Sequence, residues 1–224
     1  MGKKEEALRQ LLGGQGDDQE RRIAWPIRED VLASSYFNLV VDMYRHLGGV
    51  LKDFHLNLRS WDMSIGNLAV ELDEQLHFNR FRAETLKSEV YAALPQFPLA
   101  AYRGYCDRHE QACIRAGKHG GKWTSESSEK QFGPSPSRGD LTGAGPARWR
   151  QRAFYDFVKD LSPLIIGVPV VRLAVWDEVL VGGRPVQLER LLSARSSEAR
   201  AGIFALVQAR SPNKPPVADN RERR

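Results

Sequence analysis

Three carboxylates in this chain are spaced so that they could act together. Gly66-Asn67, between the apolar residues Ile65 and Leu68, is a two-residue hairpin signature. Pairing Ile65 with Leu68 carries the register back to Asp62 opposite Glu71. Along the second strand Leu68, Val70 and Leu72 point one way, while Ala69, Glu71 and Asp73 point the other. Like charges across an antiparallel pair destabilise a sheet, and a divalent cation is the usual reason to hold them close. Asp62, Glu71 and Asp73 are therefore the candidate ligands for one or two Mg²⁺ (or Mn²⁺) ions, which take carboxylate oxygens, waters and substrate phosphates in near-octahedral geometry. A metal held there can deprotonate a water and neutralise charge on a phosphate under in-line attack. Gln75 and His77, just past the strand, could orient that water or touch the scissile phosphate. The competing reading is a solvated acidic strand with Asp62 in an ordinary turn.

The elements around this hairpin follow from periodicity. Residues 1–12 read as a helix, broken at Gly13-Gly14-Gln15-Gly16. Asp30 is placed to cap a helix from Val31 to about Leu47. Val50–Arg59 reads as a strand. A helix from about Leu76 to Leu94, stopped by Pro95, carries Arg80 on its polar side. Residues 99–116 are a further helix, and 117–147 a long loop rich in Gly, Ser and Pro. Arg148–Leu161 is an amphipathic helix whose polar stripe is Arg148, Arg152, Tyr155 and Lys159. Residues 169–176 form a buried strand, Gly182-Gly183 a turn, and Ser196 or Ser197 caps a last helix. From Ser211 the composition is that of a frayed tail.

Charge is concentrated. Residues 103–159 hold 11 Lys or Arg against 6 Asp or Glu, the whole net charge of +5. A basic middle suits a polyanion such as nucleic acid, and also a merely solvated surface. Arg80, Arg148, Arg152, Tyr155, Lys159 and Arg172 are the candidate nucleic-acid contacts. In the long loop, Lys122, Trp123, Lys130, Phe132 and Arg138 interleave bases with aromatics.

The chain has two cysteines. Cys106, His109 and Cys113 share one helical face and are thiol and imidazole ligands of the kind zinc takes. Their spacing matches none of the common zinc patterns, so buried structural cysteines with an exposed histidine are expected instead. No apolar run approaches a membrane span, and the N-terminus lacks the apolar core of a secretory signal. The expectation is a cytoplasmic protein without a membrane partner.

The run Leu68-Ala69-Val70-Glu71-Leu72-Asp73-Glu74-Gln75-Leu76-His77, preceded by Asp62, resembles the core of the restriction-endonuclease-like PD-(D/E)XK nucleases. It is most similar to the branch containing the very-short-patch mismatch repair endonucleases. Val170-Val171-Arg172-Leu173-Ala174-Val175-Trp176-Asp177-Glu178-Val179 is similar to a later strand of that branch. The resemblance implies that Asp62 and Glu71 are metal ligands, that Asp73, Gln75 and His77 fill supporting positions, and that Arg172 lies near the site or a phosphate.

Together these readings give an α/β (α+β) chain: a restriction-endonuclease-like core with a central mixed sheet flanked by helices and a long basic insertion. Residues 1–30 are an N-terminal helix and linker, 31–210 a single domain with its insertion at about 99–147, and 211–224 a tail. The implied function is metal-dependent hydrolysis of DNA phosphodiesters, in defence or repair. The alternative is a non-catalytic module that binds nucleic acid or a protein partner in such a complex.

Overall fold

The computed structural model describes residues 2–13 and 23–212, which form a mixed α+β fold with ten α-helices and two small sheets. Helix α1 (Lys3–Leu12) buries Ala7, Leu8 and Leu11. Residues 14–16 of the expected break, and the tail beyond 212, lie outside the described residues.

The helix expected over 31–47 is two. Helix α2 spans Arg28–Ala33 and α3 spans Phe37–His46. The break falls at Ser34, whose hydroxyl donates to Val31 O (2.8 Å) and accepts from Tyr36 N (3.2 Å). A short polar side chain here competes for the backbone groups a helix needs. Asp30 lies inside the first turn of α2 and accepts from Ile27 N at 2.9 Å.

No strand forms over 50–59. Leu56 and Leu58 alternate there with His55, Asn57 and Arg59, and Leu58 is buried and Leu56 partly so. The backbone, however, is satisfied piecemeal: Val50 N donates to Gln131 O, and His55 O accepts from the Gln131 amide. With those partners the segment has no sheet neighbour, and the main sheet has three strands.

Strands β1 (Met63–Ile65) and β2 (Leu68–Asp73) pair antiparallel in the register the turn dictates, Ile65 with Leu68 and Met63 with Val70. Gly66 supplies the positive φ of 60° that the turn requires. Strand β2 is buried on both faces, which removes the solvated-strand reading: Glu71 is 5% and Asp73 1% exposed.

The helix expected over 76–94 is interrupted. A 3-10 turn at Gln75–His77 is followed by α4 (Arg80–Thr85) and a second 3-10 turn at Glu89–Ala93. The Asn79 carboxamide caps α4, accepting from Phe81 N and Arg82 N, and so starts a new helix where one was expected to continue. Helix α5 (Leu99–Gly117) matches expectation. The expected loop after it contains α6 (Glu126–Phe132), capped reciprocally by Ser125 and Ser128. Trp123 packs edge-on against Trp149 and Phe132 is buried, so both aromatics anchor the segment.

Helix α7 (Ala147–Asp160) follows, then a short α8 (Ser162–Ile165). Strand β3 (Val170–Ala174) pairs parallel with β2 and sets Arg172 beside Glu71. Strands β4 (Glu178–Val181) and β5 (Arg184–Gln187) form a separate hairpin around Gly182-Gly183. Helix α9 (Leu188–Ala194) was not anticipated, whereas α10 (Ser197–Arg210) has Ser196 as its cap. No helix among the described residues is long and apolar enough to cross a membrane.

Candidate active-site cleft

Asp62 lies one residue before β1, where its Oδ2 accepts from Leu72 N at 2.8 Å. Together with Glu71 it borders a cleft of about 1050 Å³ that α7 also lines, through Arg148, Arg152, Tyr155 and Lys159. Burial, and then the neighbouring Glu71 carboxylate, push the Asp62 carboxyl up to about 7. The Leu72 N–H and the Lys159 ammonium oppose that rise but do not cancel it. Glu71 is likewise raised by burial, against the pull of Lys159 and Arg172. The Lys159 ammonium donates to Glu71 Oε1 at 2.6 Å.

Beneath the cleft is a buried ion network centred on Arg172, which is 1% exposed. Its Nε donates to Asp160 Oδ1 (2.8 Å), its Nη1 to Asp73 Oδ1 (2.8 Å) and Asp156 Oδ1 (3.3 Å), and its Nη2 to Asp156 O (3.0 Å). Asp160 also accepts from Arg82 (2.7 Å) and the Tyr91 hydroxyl (2.6 Å), and Asp73 from the Tyr102 hydroxyl (2.8 Å). His77 Nδ1 bridges Asp156 (2.8 Å) and Asp73 (3.1 Å). Burial opposes charging of that imidazole, but the two carboxylates outweigh it and raise its pKa. With His77 protonated, Glu71, Asp73, Asp156 and Asp160 are balanced by Arg82, Lys159, Arg172 and His77. Charges this deep persist only when paired and hydrogen-bonded.

Asp73, His77 and Asp156 offer three ligand atoms within 4.8 Å of one another, a group that could hold a metal ion. Arg172 already occupies one oxygen of each of its two carboxylates, so a cation there would compete with a guanidinium. The structure divides the carboxylates first grouped as magnesium ligands. Asp62 and Glu71 face the cleft, whereas Asp73 is turned into the network and does not line it. Gln75 lines the cleft, but its amide is engaged by Lys4 (3.1 Å) and Glu189 (3.0 Å).

Of the expected nucleic-acid contacts, Arg148, Arg152, Tyr155 and Lys159 do line one wall. Arg172 does not: it is spent on buried carboxylates and cannot reach a phosphate. Arg80 lies outside the cleft in a bidentate pair with Glu110 (2.8 and 2.9 Å). Sequence reasoning missed Asp156, Asp160, Arg82, Tyr91 and Tyr102. One clue was available, since a cation amid the apolar residues of a buried strand demands buried anions.

Cys106 and Cys113 are buried, and burial raises both thiols to about 12. Cys113 Sγ contacts Leu76 O at 3.6 Å, while the His109 ring stacks on Trp176 at 3.9 Å. The three residues form no metal-ligand group among the described residues. A disulfide-exchange reagent at pH 8 is expected to label neither thiol until the protein is unfolded in denaturant, because the thiolate is the reacting species. Rapid labelling of the folded protein would contradict their placement.

Residues 42–194 match the profile of a family described as "Family of unknown function (DUF7255)". That span is well over half of the chain and includes both cleft carboxylates and every residue of the ion network. No curated protein and no solved structure matches the chain.

Proposed function

The chain belongs to the DUF7255 family, and from the geometry of its cleft we propose that it is a metal-dependent nuclease acting on DNA phosphodiesters. The observation that carries this reading is a single cleft lined by the Asp62 and Glu71 carboxyls, the latter paired with Lys159 through Oε1, and by the guanidinium groups of Arg148 and Arg152. Burial, and after it the neighbouring Glu71 carboxylate, raises the pKa of Asp62 and so makes its charged form costly. Arg148 and Arg152 line the same cleft, and Lys159 joins the carboxylates directly through Glu71. A cation and a polyanion would each relieve one side. The antiparallel hairpin β1–β2, the parallel strand β3 and the flanking helices are compatible with the restriction-endonuclease-like core that the motifs resemble.

The donor set suits a hard cation. Asp62 and Glu71 Oε2 would hold Mg²⁺ or Mn²⁺ through oxygens, leaving Glu71 Oε1 to Lys159. Such an ion supplies an activated water and charge neutralisation at a phosphate. The chain's own residues do the rest. Arg148, Arg152 and Tyr155 offer two guanidinium groups and a hydroxyl to phosphate oxygens of the bound strand. Lys159 holds Glu71 in place and sets a positive charge beside the carboxylates. His77, its Nδ1 committed to Asp73 and Asp156, has Nε2 left to donate to a water or a phosphate oxygen. The network around Arg172 fixes β2 against β3, and so fixes Glu71.

A second reading is favoured by one observation. The Lys159 ammonium, 2.6 Å from Glu71, already supplies part of the positive charge a metal would bring. The cleft would then bind nucleic acid, or an acidic partner, without cutting. Incubation with supercoiled plasmid separates the two. The nuclease reading expects nicking that requires Mg²⁺ or Mn²⁺ and disappears in Glu71→Ala while the circular dichroism spectrum is retained. Nicking that persists in a folded Glu71→Ala protein, or DNA binding indifferent to metal with no cleavage, overturns it.

A further inference from the structure

Arg148 and Arg152 stand four residues apart on α7, one turn of helix, and both line the cleft. Neither forms an ion pair among the described residues. Arg148 Nη1 donates to the neutral Gln151 amide, and Arg152 Nη1 makes one long bond, 3.5 Å, to Leu76 O. Other cations repel them: Arg59 acts on Arg148, and Arg148 acts on Arg152. Asp156 is the nearby carboxylate that attracts both, and its own oxygens are already taken by His77 and Arg172. Beneath the cleft the buried guanidinium groups are matched to carboxylates, Arg82 to Asp160 and Arg172 to three aspartates, whereas buried Arg150, outside the cleft lining, has the Gly145 carbonyl and the Phe132 ring. A guanidinium remains charged in a protein, so this pair is a concentration of positive charge in a partly desolvated wall.

We propose that Arg148 and Arg152 form a binding site for a phosphomonoester dianion. A planar guanidinium binds phosphate oxygens bidentately. Two of them at a like-charge cost are matched better by two negative charges than by the single charge of a backbone diester. Tyr155 lines the same cleft, its hydroxyl held by long bonds to Gln131 Oε1 (3.4 Å) and His55 O (3.5 Å). The Asp62–Glu71 pair lines the same cleft, so a strand held here by its terminal phosphate would share that cleft with those carboxylates. That last point rests on the nuclease reading, whereas phosphate binding does not.

The test uses the full-length protein and inorganic phosphate, with chloride at matched ionic strength as control. Phosphate is expected to raise the melting temperature in a saturable way. Arg152→Gln and Arg148→Gln are expected to weaken it at least tenfold. Arg152→Gln should also melt at a higher temperature than wild type in phosphate-free buffer, since a buried repulsion is gone, and that guards against misfolding. Asp62→Asn should bind phosphate as wild type does, which separates this site from the metal reading. A short single strand with a 5′-phosphate should bind at least tenfold tighter than its 5′-hydroxyl form if a nucleic-acid end is the ligand. Equal binding of the two strands, with phosphate still bound, would assign the site to a small phosphorylated molecule. No phosphate-specific stabilisation, or the same stabilisation in both arginine variants, overturns the proposal, whatever the plasmid assay shows.

Discussion

Arg172→Met should destabilise the protein by on the order of 3–5 kcal/mol, the range seen when one partner of a buried ion pair is removed. The reason lies in what stays behind. Arg172 contacts Asp73, Asp156 and Asp160 within 3.3 Å, and all are nearly inaccessible to solvent. A methionine fills similar space but leaves these carboxylates sharing Arg82 and His77. Arg172→Lys is expected to recover little, since one ammonium cannot reproduce the fork that spans Asp160, Asp73 and the Asp156 carbonyl. The measurement is the urea midpoint at constant slope. A midpoint within experimental error of wild type would show that the network does not hold β2 to β3. A variant that fails to fold would agree with it, and Arg172→Lys then supplies the measurable midpoint. This prediction also carries the correction made above: Arg172 is a structural centre and not a phosphate contact.

Asp62→Asn should reduce metal-dependent cleavage by at least about a hundredfold, since even partners one step removed from a metal contribute 10–100-fold. The amide oxygen can still accept from Leu72 N, so the turn survives. The same variant should change how stability depends on pH. A carboxyl raised from 3.8 to about 7 in the folded state keeps its proton where the unfolded chain has lost it. Metal-free stability contributed by Asp62 therefore falls as pH rises from about 4 to about 7, by about 1.4 kcal/mol for each pH unit. Glu71 is raised too and has the same sign. His77, raised above 6.5, contributes stability that is full below 6.5 and lost as pH climbs through its folded pKa. Wild type carries all three contributions and Asp62→Asn lacks the first, so the difference between the two reports Asp62 together with its repulsion from Glu71. Saturating Mg²⁺ should lessen the fall in wild type and leave the variant unaffected. Identical pH profiles, or no stabilisation of wild type by Mg²⁺ or Mn²⁺, would remove Asp62 as a ligand.

What could be read in advance was local. The Gly66-Asn67 turn sets the register of β1 against β2 with no help from the rest of the chain, because a two-residue loop admits few geometries. The faces of α5 and α7 follow from a 3.6-residue period. Breaks that depend on one side chain were harder to see. Ser34 splits α2 from α3 and Asn79 begins α4, each with a single local hydrogen bond or two that periodicity does not weigh. The alternation in 50–59 was real, yet strand formation needs a neighbour, and this stretch has Gln131 and its backbone instead.

The sequence alone determined that Asp62 and Glu71 lie at adjacent places on a hairpin, that Asp73 shares the face of Glu71, and that α7 carries a basic stripe. Tertiary structure decided which cation answers each carboxylate. Lys159 reaches Glu71 across 88 positions, Arg172 reaches Asp73 across 99, and Arg82 reaches Asp160 across 78. Side-chain period and turn chemistry fix the direction in which a residue points. They carry no information about which distant charge will be packed against it, and in a buried site that partner determines whether a carboxylate is neutralised, as Asp73 is, or left facing a cleft, as Asp62 is.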